Sequence, residues 1–213
     1  MMNSWLGPKP YARLNLRVLL GFLALALPMR AQKQELAFSL GGIVGQTRAF
    51  NSPTTGQVNI SAGKSFGVNY GYRLVNTKVA DLYGEVEFAA PPNQTVDSSS
   101  ATVARNYASL YVTPGLRLKI FPAARFSPWG VIGGGYALYQ QGSPLSNGQA
   151  TTNRFLNRGV FQFGGGIDFR LIRFLGLRAE VRDFVSGNPN LNVRLDSSTQ
   201  HNVISSGAVV FRF

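Results

Sequence analysis

From residue 32 onward, tight turns alternate with long polar segments between runs of strand-like residues. The tight connections are Val75–Val79, Phe121–Phe126 and Leu171–Phe174. The long polar segments are Ala49–Gln57, Ala90–Ala104, Gln141–Asn153 and Ser186–Gln200. Strands joined in this way are antiparallel, so every second connection emerges at the same end of the sheet. The pattern predicts an all-β fold: an eight-stranded antiparallel up-and-down transmembrane β-barrel with four long loops at one end.

The composition of the second long segment indicates how its loop behaves. It contains Pro91-Pro92-Asn93 and the small polar stretch Asp97–Thr102. Such residues break strands and bury little apolar surface, so we expect a mobile loop rather than a fixed lid. Most predicted strands exceed the length that a tilted strand needs to cross a bilayer, so the wall should rise above the membrane on the loop side.

Successive side chains of a strand point to opposite faces, which gives a barrel wall one outward and one inward set. Most of the predicted strands alternate apolar residues with polar or charged ones. In Tyr107–Ile120, for example, Leu116 and Leu118 alternate with Arg117 and Lys119. This period of two is typical of strands that separate two different environments.

One strand, Pro128–Gln140, has an ambiguous parity. Trp129 and Val131 share one face, whereas Ile132 and Tyr136 share the other. Trp129 lies near the turn end of its strand, where other aromatic residues also occur. We therefore assign it to the outward, lipid-facing set.

Charged residues of both signs occupy the parity opposite to the apolar set. They are Arg73, Asp81, Glu85, Glu87, Arg117, Lys119, Asp168, Arg170, Arg178, Glu180, Arg182 and Arg212. The lumen of an eight-stranded barrel is barely wide enough for side chains. These residues are therefore predicted to interlock as a structural ion network that fills the interior and leaves no open water channel.

Two arrangements could use this pattern. A soluble barrel would place the apolar set inside, whereas a membrane barrel places it against lipid. Aromatic residues near the turn end favour the membrane arrangement, because aromatic girdles mark the boundary of a bilayer. These are Phe121, Phe126, Trp129, Phe169, Phe174, Phe211 and Phe213.

The first 31 residues have the features of a secretory signal peptide. Lys9, Arg13 and Arg17 form a basic region, Val18–Leu27 is an apolar core, and Ala31 suits a cleavage boundary. A run of this length is too short to cross roughly 30 Å of hydrocarbon as a helix. The predicted organisation is a signal peptide, residues 1–31, followed by an outer-membrane β-barrel domain, residues 32–213.

Charge and composition narrow the partners. Of the 21 basic side chains 17 follow position 31, as do all nine acidic ones, so residues 32–213 carry a net charge near +8. For an exported chain, the expected partners of this positive charge are membrane lipids, including lipopolysaccharide. We expect no nucleic acid partner. No cysteine is present, so disulfides and a lipidated cysteine are excluded. No later run reaches eighteen apolar residues, which excludes a helical membrane protein.

The chain offers little for catalysis. His201 is its single histidine, which excludes a multi-histidine metal site. Ser205 shares the strand face of His201 but lies roughly 13 Å away along it, too far for a nucleophile and its base. The glycine runs at 133–135 and 164–166 are not followed by Lys-Ser/Thr, so they are not phosphate loops. We predict a protein that is not an enzyme, with no catalytic, metal or cofactor-binding residues and no cofactor.

Several sequence runs resemble those of a known family. Pro128–Tyr136 reads PWGVIGGGY, Gly164–Phe184 reads GGGIDFRLIRFLGLRAEVRDF, and the chain ends in VVFRF. In this order the runs resemble the OmpA/OmpX-like small outer-membrane β-barrel family. The resemblance implies an integral protein of the outer membrane. The chain stops at Phe213, so we expect the peptidoglycan-binding domain of longer relatives to be absent.

The last strand also resembles the signal read by the barrel-assembly machinery, which favours a polar residue, a glycine and two aromatics. Ser206, Phe211 and Phe213 match that spacing. Ala208 stands where the glycine is usual, with Gly207 one place early. The resemblance implies this machinery as a partner during biogenesis.

Three functions of different classes stay open for such a barrel. The first is a structural, envelope-integrity or adhesion role through four extracellular loops that contact an unknown surface ligand. The alternative is a narrow passive porin-like channel for small solutes. A lipid A-modifying enzyme is the third, and it would depend on His201.

Overall fold

The computed structural model describes residues 33–50, 56–98, 106–141, 155–189, 191 and 198–213. The predicted signal peptide, residues 1–31, lies outside the described residues, as do the central parts of the four long segments. Within the described ranges there is no helix long and apolar enough to cross a membrane.

The described residues form strands joined by turns. The strands are β1 (Gln34–Ile43), β2 (Gln46–Phe50), β3 (Gly56–Ile60), β4 (Gly63–Asn76), β5 (Ala80–Ala90), β6 (Gln94–Ser98), β7 (Asn106–Ile120), β8 (Phe126–Gln141), β9 (Phe155–Arg170), β10 (Leu175–Gly187) and β11 (Thr199–Arg212). Eight of them close a ring in the order β1, β4, β5, β7, β8, β9, β10, β11, and every neighbouring pair is antiparallel. The predicted eight-stranded antiparallel barrel is confirmed.

The three short strands extend the wall at the loop end. β3 pairs with β2 on one side and with β6 on the other, and β6 pairs with the start of β7. The expectation that the segment after Pro91-Pro92-Asn93 is a mobile loop is therefore wrong for Gln94–Ser98. The backbone groups of this segment are used in strand pairing. Its Val96 side chain is buried, as are Val58 and Ile60 of the neighbouring β3.

The outer wall exposes large apolar side chains. Leu40, Leu116, Ile132 and Phe163 are between 43% and 66% exposed, and they sit on the four strands β1, β7, β8 and β9. Arginine, glutamate and aspartate side chains are meanwhile buried inside. This is the reverse of a soluble barrel and matches a wall that faces lipid.

The assignment of Trp129 to the outward set is wrong. Trp129 and Val131 are buried in the lumen at 5% and 4% exposure, whereas Ile132 and Tyr136 point outward. Trp129 lies opposite Gly166 across β8 and β9. The missing side chain at that glycine leaves the room that an inward indole needs.

The two faces can be told apart by a quencher attached to lipid acyl chains. In protein that lacks residues 1–31, we expect the emission of Trp129 to stay undimmed in such a bilayer, since the wall separates it from lipid. Tryptophans introduced at Leu116 or Phe163 should be strongly quenched, because both positions are exposed on the outer wall. Quenching of Trp129 equal to that of the introduced residues would show that the faces are exchanged.

Candidate functional site

Charged side chains fill the half of the lumen nearest the turns. Two carboxylates, Glu35 and Asp168, each contact several cations. Glu35 lies at the start of β1, directly opposite Arg212 of β11. The Glu35 carboxylate is 2.6 Å from Lys119 Nζ, 2.7 Å from Arg117 Nη2 and 3.1 Å from Arg212 Nε. Arg178 Nη2 approaches the same group at 3.2 Å.

Asp168 at the end of β9 is the second centre of the cluster. Its carboxylate lies 2.7 Å from Arg178 Nε and 2.7 Å from Lys119 Nζ. It also accepts a hydrogen bond from Trp129 Nε1 at 3.0 Å. Arg178 and Lys119 thus bridge Asp168 to Glu35, so the two carboxylates share their cations.

A chain of ion pairs continues from this centre toward the middle of the barrel. Arg117 Nε donates to Glu85 at 2.7 Å, and Glu85 in turn accepts from Arg182 at 2.7 Å. Arg182 also lies 3.1 Å from Glu180 and 3.6 Å from Glu87. Each arginine is held between carboxylates of different strands, which ties opposite walls of the barrel together.

This lumen ion cluster contains acidic and basic side chains in equal number. Its acidic members are Glu35, Glu85, Glu87, Asp168 and Glu180, and its basic members are Arg117, Lys119, Arg178, Arg182 and Arg212. Each cation therefore has a carboxylate partner within the protein, which matters because a lumen of this width cannot hold much water.

Two residues of the predicted network lie beside the cluster, and one lies apart from it. Asp81 is buried and pairs with Arg73 at 3.3 Å, and Asn76 donates to the same carboxylate. Arg170 is part-buried at the turn end of β9, where its guanidinium donates to the backbone carbonyl of Pro122. Among the described residues Arg170 makes no ion pair.

Sequence reasoning missed Glu35, although the signal was present. Glu35 has the parity of Ala37, and that face of β1 opposes the outward Phe38. Alternation alone therefore places it inside. Its role as a centre depends on closure of β1 against β11, which brings residues 82 to 177 positions apart into contact.

Aromatic rings pack between the cations. The guanidinium of Arg178 lies 5.0 Å from the ring centre of Trp129, and that of Arg182 lies 5.2 Å from it. Arg117 and Lys119 lie 4.6 and 4.9 Å from the ring of Tyr83. A cation over an aromatic face is attracted by the quadrupole of the ring. The rings therefore stabilise the cations while they hold like charges apart.

The half of the lumen nearest the loops is filled differently. Tyr111 stacks on Phe184 with ring centres 4.7 Å apart, and Tyr139 packs edge-on against Tyr111. The Tyr139 hydroxyl is hydrogen-bonded to Ser186 at 2.5 Å. A buried apolar cluster surrounds these rings and includes Ile43, Val58, Ile60, Val96, Leu191 and Ile204. Part of it comes from β3 and β6, so the strands missed by sequence reasoning help close this end.

The outer wall carries one polar pair near the loop end. His201 Nδ1 lies 2.6 Å from Asp183 Oδ2, and the His201 side chain is exposed. Ser205 faces the same way on β11 but further along the strand. Among the described residues, no three histidine, aspartate or glutamate side chains come together as a metal site.

The residues of the predicted assembly signal divide between the two faces. Ser206 turns inward and donates to Glu180 Oε1 at 3.0 Å. Phe211 points outward and packs edge-on against Phe38, with ring centres 6.3 Å apart. Phe213 follows the end of β11. The polar member Ser206 therefore faces the lumen, and the aromatic Phe211 faces the outside of the barrel.

Neutralising Glu35 tests whether the cluster stabilises the barrel. Glu35→Gln leaves four cations without their shared carboxylate, so the free energy of unfolding should fall by about 3 kcal/mol. Asp97→Asn makes the same chemical change at an exposed residue of β6 and should cost less than about 0.5 kcal/mol. Urea unfolding of both variants in detergent micelles gives the comparison. Equal losses would mean that the cluster is not needed for stability.

A second prediction concerns the space beneath Trp129. A Cβ at Gly166 would lie 2.7 Å from Trp129 Cζ2 and would also meet the backbone carbonyl of Ala179. Gly166→Ala should therefore lower the free energy of unfolding by about 1 to 3 kcal/mol through overpacking. At Gly130 on the outer wall the nearest atom is 3.8 Å away, so Gly130→Ala is the matched control. A shift in Trp129 emission that occurs in Gly166→Ala and not in Gly130→Ala would show that the destabilisation arises from the contact with the indole.

Solved outer-membrane proteins share this architecture. The outer membrane protein OprG from Pseudomonas aeruginosa aligns over 86% of this chain and 97% of its own, with 14% identity and a TM-score of 0.61. Neisserial surface protein A aligns over 84% and 96%, with 13% identity and a TM-score of 0.55. No protein-family model and no curated protein matches the chain. At these identities the likeness establishes the fold, that of the small outer-membrane β-barrels.

Proposed function

We propose that the protein is an integral outer-membrane barrel with a side-chain-filled lumen and a structural or surface-interaction role. The observation that carries the proposal is the reversal of polarity across one wall. Apolar side chains are exposed outside while charged ones are buried inside. Such a wall would expose a large apolar surface in water, whereas hydrocarbon matches it.

Export and assembly follow from the two ends of the chain. The predicted signal peptide, residues 1–31, would direct secretion, and Ser206, Phe211 and Phe213 would be read by the barrel-assembly machinery. The OmpA/OmpX-like family is the finer assignment that we propose. Its support is the sequence runs around Pro128–Tyr136 and Gly164–Phe184.

The loop end supports contact with the cell surface and its lipid. The short strands β2, β3 and β6 extend the wall beyond the ring of eight strands at this end. Lys64 and Arg158 are exposed at this end and suit the phosphates of lipopolysaccharide. Envelope integrity, or adhesion to an unidentified ligand through the four extracellular loops, is the role that this placement favours.

The filled lumen argues against a porin-like channel. A passing solute would have to break ion pairs of 2.6 to 2.7 Å around Glu35 and then part the stacked rings of Tyr111 and Phe184. We also propose no catalytic role for His201. Although Asp183 holds its ring, Ser205 on the same strand face lies roughly 13 Å away along β11, too far for a nucleophile and its base. If His201 has no catalytic role, lipid A should keep its mass in cells that overproduce the protein.

Two measurements on the extracted protein test the proposal together. The folded barrel should migrate faster than the boiled protein on a denaturing gel, because closed barrels resist unfolding by detergent. In planar bilayers it should show no steady unitary conductance, while a known porin in the same lipid serves as the positive control. Recovery of the protein in soluble form from the periplasm, without a band shift on the gel, would contradict the membrane assignment. A stable conductance step would favour the channel instead.

A further inference from the structure

The structure points to a second lipid-binding surface, at the turn end of the barrel. We propose that this end binds the phosphate headgroups of anionic phospholipids in the periplasm-facing leaflet. The inference rests on the outer-membrane placement proposed above and goes beyond it by naming the lipid class and the residues. The residues are five cations, here termed the turn-end ring: Lys33, Lys78, Arg125, Arg170 and Arg173.

The turn-end ring is continuous around the rim, because backbone hydrogen bonds join one hairpin to the next. These are Arg73 N to Lys33 O at 2.7 Å, Phe121 N to Val79 O at 2.7 Å, Arg170 N to Arg125 O at 2.9 Å and Arg212 N to Phe174 O at 2.9 Å. Each of the three turns carries a cation, and Lys33 completes the circle at the start of β1. The cations therefore surround the barrel instead of clustering on one side.

The turns that carry the ring have no acidic side chain to offset it. The turns at 77–79, 121–125 and 171–174 contain no aspartate or glutamate. The acidic side chains that precede or follow ring members most closely along the chain are Glu35, Asp81 and Asp168, and all three are buried in the lumen. Glu35 pairs with Arg117 and Lys119, Asp81 with Arg73, and Asp168 with Lys119 and Arg178. Among the described residues no ring cation makes an ion pair. The rim therefore presents uncompensated positive charge.

Apolar side chains alternate with these cations. Val79 is 60% exposed beside Lys78, Phe126 is 58% exposed beside Arg125, and Phe174 is 56% exposed beside Arg173. The Arg125 guanidinium also lies 4.9 Å from the ring centre of Phe169. A surface that mixes exposed apolar groups with cations on long side chains fits the headgroup layer, where both can be satisfied. A water-soluble anionic polymer would not use the apolar half.

Phe121 supports the same interpretation independently of charge. Its φ is 51°, a left-handed conformation that glycine adopts at less cost. The aromatic side chain there is nevertheless 55% exposed and gains little from burial within the protein. Insertion into the boundary of the lipid layer would bury this side chain.

The bilayer orientation selects phospholipid over lipopolysaccharide. In the proposed placement the long loops face outward and the short turns face the periplasm. The turn-end ring then meets the inner leaflet, where the anionic groups are phospholipid headgroups. An exposed cation near an anionic lipid surface contributes a several-fold preference, and neighbouring cations reinforce it.

The test compares phosphatidylglycerol with phosphatidylcholine as neighbours of the turn end. Protein carrying Phe174→Trp is folded into phosphatidylcholine vesicles with a minor fraction of phosphatidylglycerol, and brominated acyl chains are placed on one lipid or the other. The quenching ratio gives the relative binding constant at that end. We expect phosphatidylglycerol to be preferred by about fivefold, and the preference to shrink in high salt as the charges are screened.

Two double variants separate a local site from net charge. Lys78→Gln with Arg173→Gln removes two exposed cations from the turn-end ring and should clearly lower the preference, with three ring cations left. Lys64→Gln with Arg158→Gln removes one lysine and one arginine that are also exposed, but at the loop end, and should leave the preference unchanged. Both are made in the Phe174→Trp protein, and the gel shift confirms that each folds.

The outcomes are distinct. Folding into vesicles with no preference for phosphatidylglycerol, or equal losses in the two double variants, would overturn this inference and leave the outer-membrane proposal standing. Retention of the protein on purified peptidoglycan without any lipid preference would assign the rim to the cell wall. Failure to take the heat-modifiable form in either lipid would overturn the membrane proposal, and the inference with it.

Discussion

The structure depends on compensation of charge inside a space too narrow for bulk water. Glu35 and Asp168 share Lys119 and Arg178, and Glu85 joins Arg117 to Arg182. A buried ion without its partners costs several kcal/mol, whereas a complete and hydrogen-bonded set does not. Each member is thus acceptable only because the others are present. The cluster favours the closed ring of eight strands, since its partners come from strands on opposite sides of the barrel.

Much of this arrangement can be predicted from alternation. A period of two assigns Arg117, Arg178 and Glu180 to one face because the pleat of a strand leaves no other choice. Trp129 could not be assigned in this way, since its strand mixes apolar residues on both parities. Its inward position depends on the space opposite Gly166 and on an acceptor at Asp168. Both belong to a neighbouring strand, and no local pattern of β8 encodes them.

The loop end shows a different limit. Val58 and Ile60 alternate with Gln57 and Asn59, so a strand signal was present beside a segment made mostly of polar residues, with one proline at Pro53. A five-residue strand gains little by itself and becomes ordered through its partners. One partner, β2, belongs to the same loop as β3, whereas the other, β6, belongs to the next long loop. Sequence reasoning that treats each loop separately cannot see pairing of this kind.

Charge is sorted by position as a consequence of these constraints. The lumen accepts cations only in equal number with carboxylates, and the outer wall accepts almost none, because lipid cannot solvate them. The surplus of basic residues in this chain must therefore appear at the two ends of the barrel. At the loop end it is displayed by residues such as Lys64 and Arg158, and at the turn end by Lys78 and Arg173. Because cations and carboxylates are matched in number inside the barrel, the basic surplus of the chain is displayed at both rims.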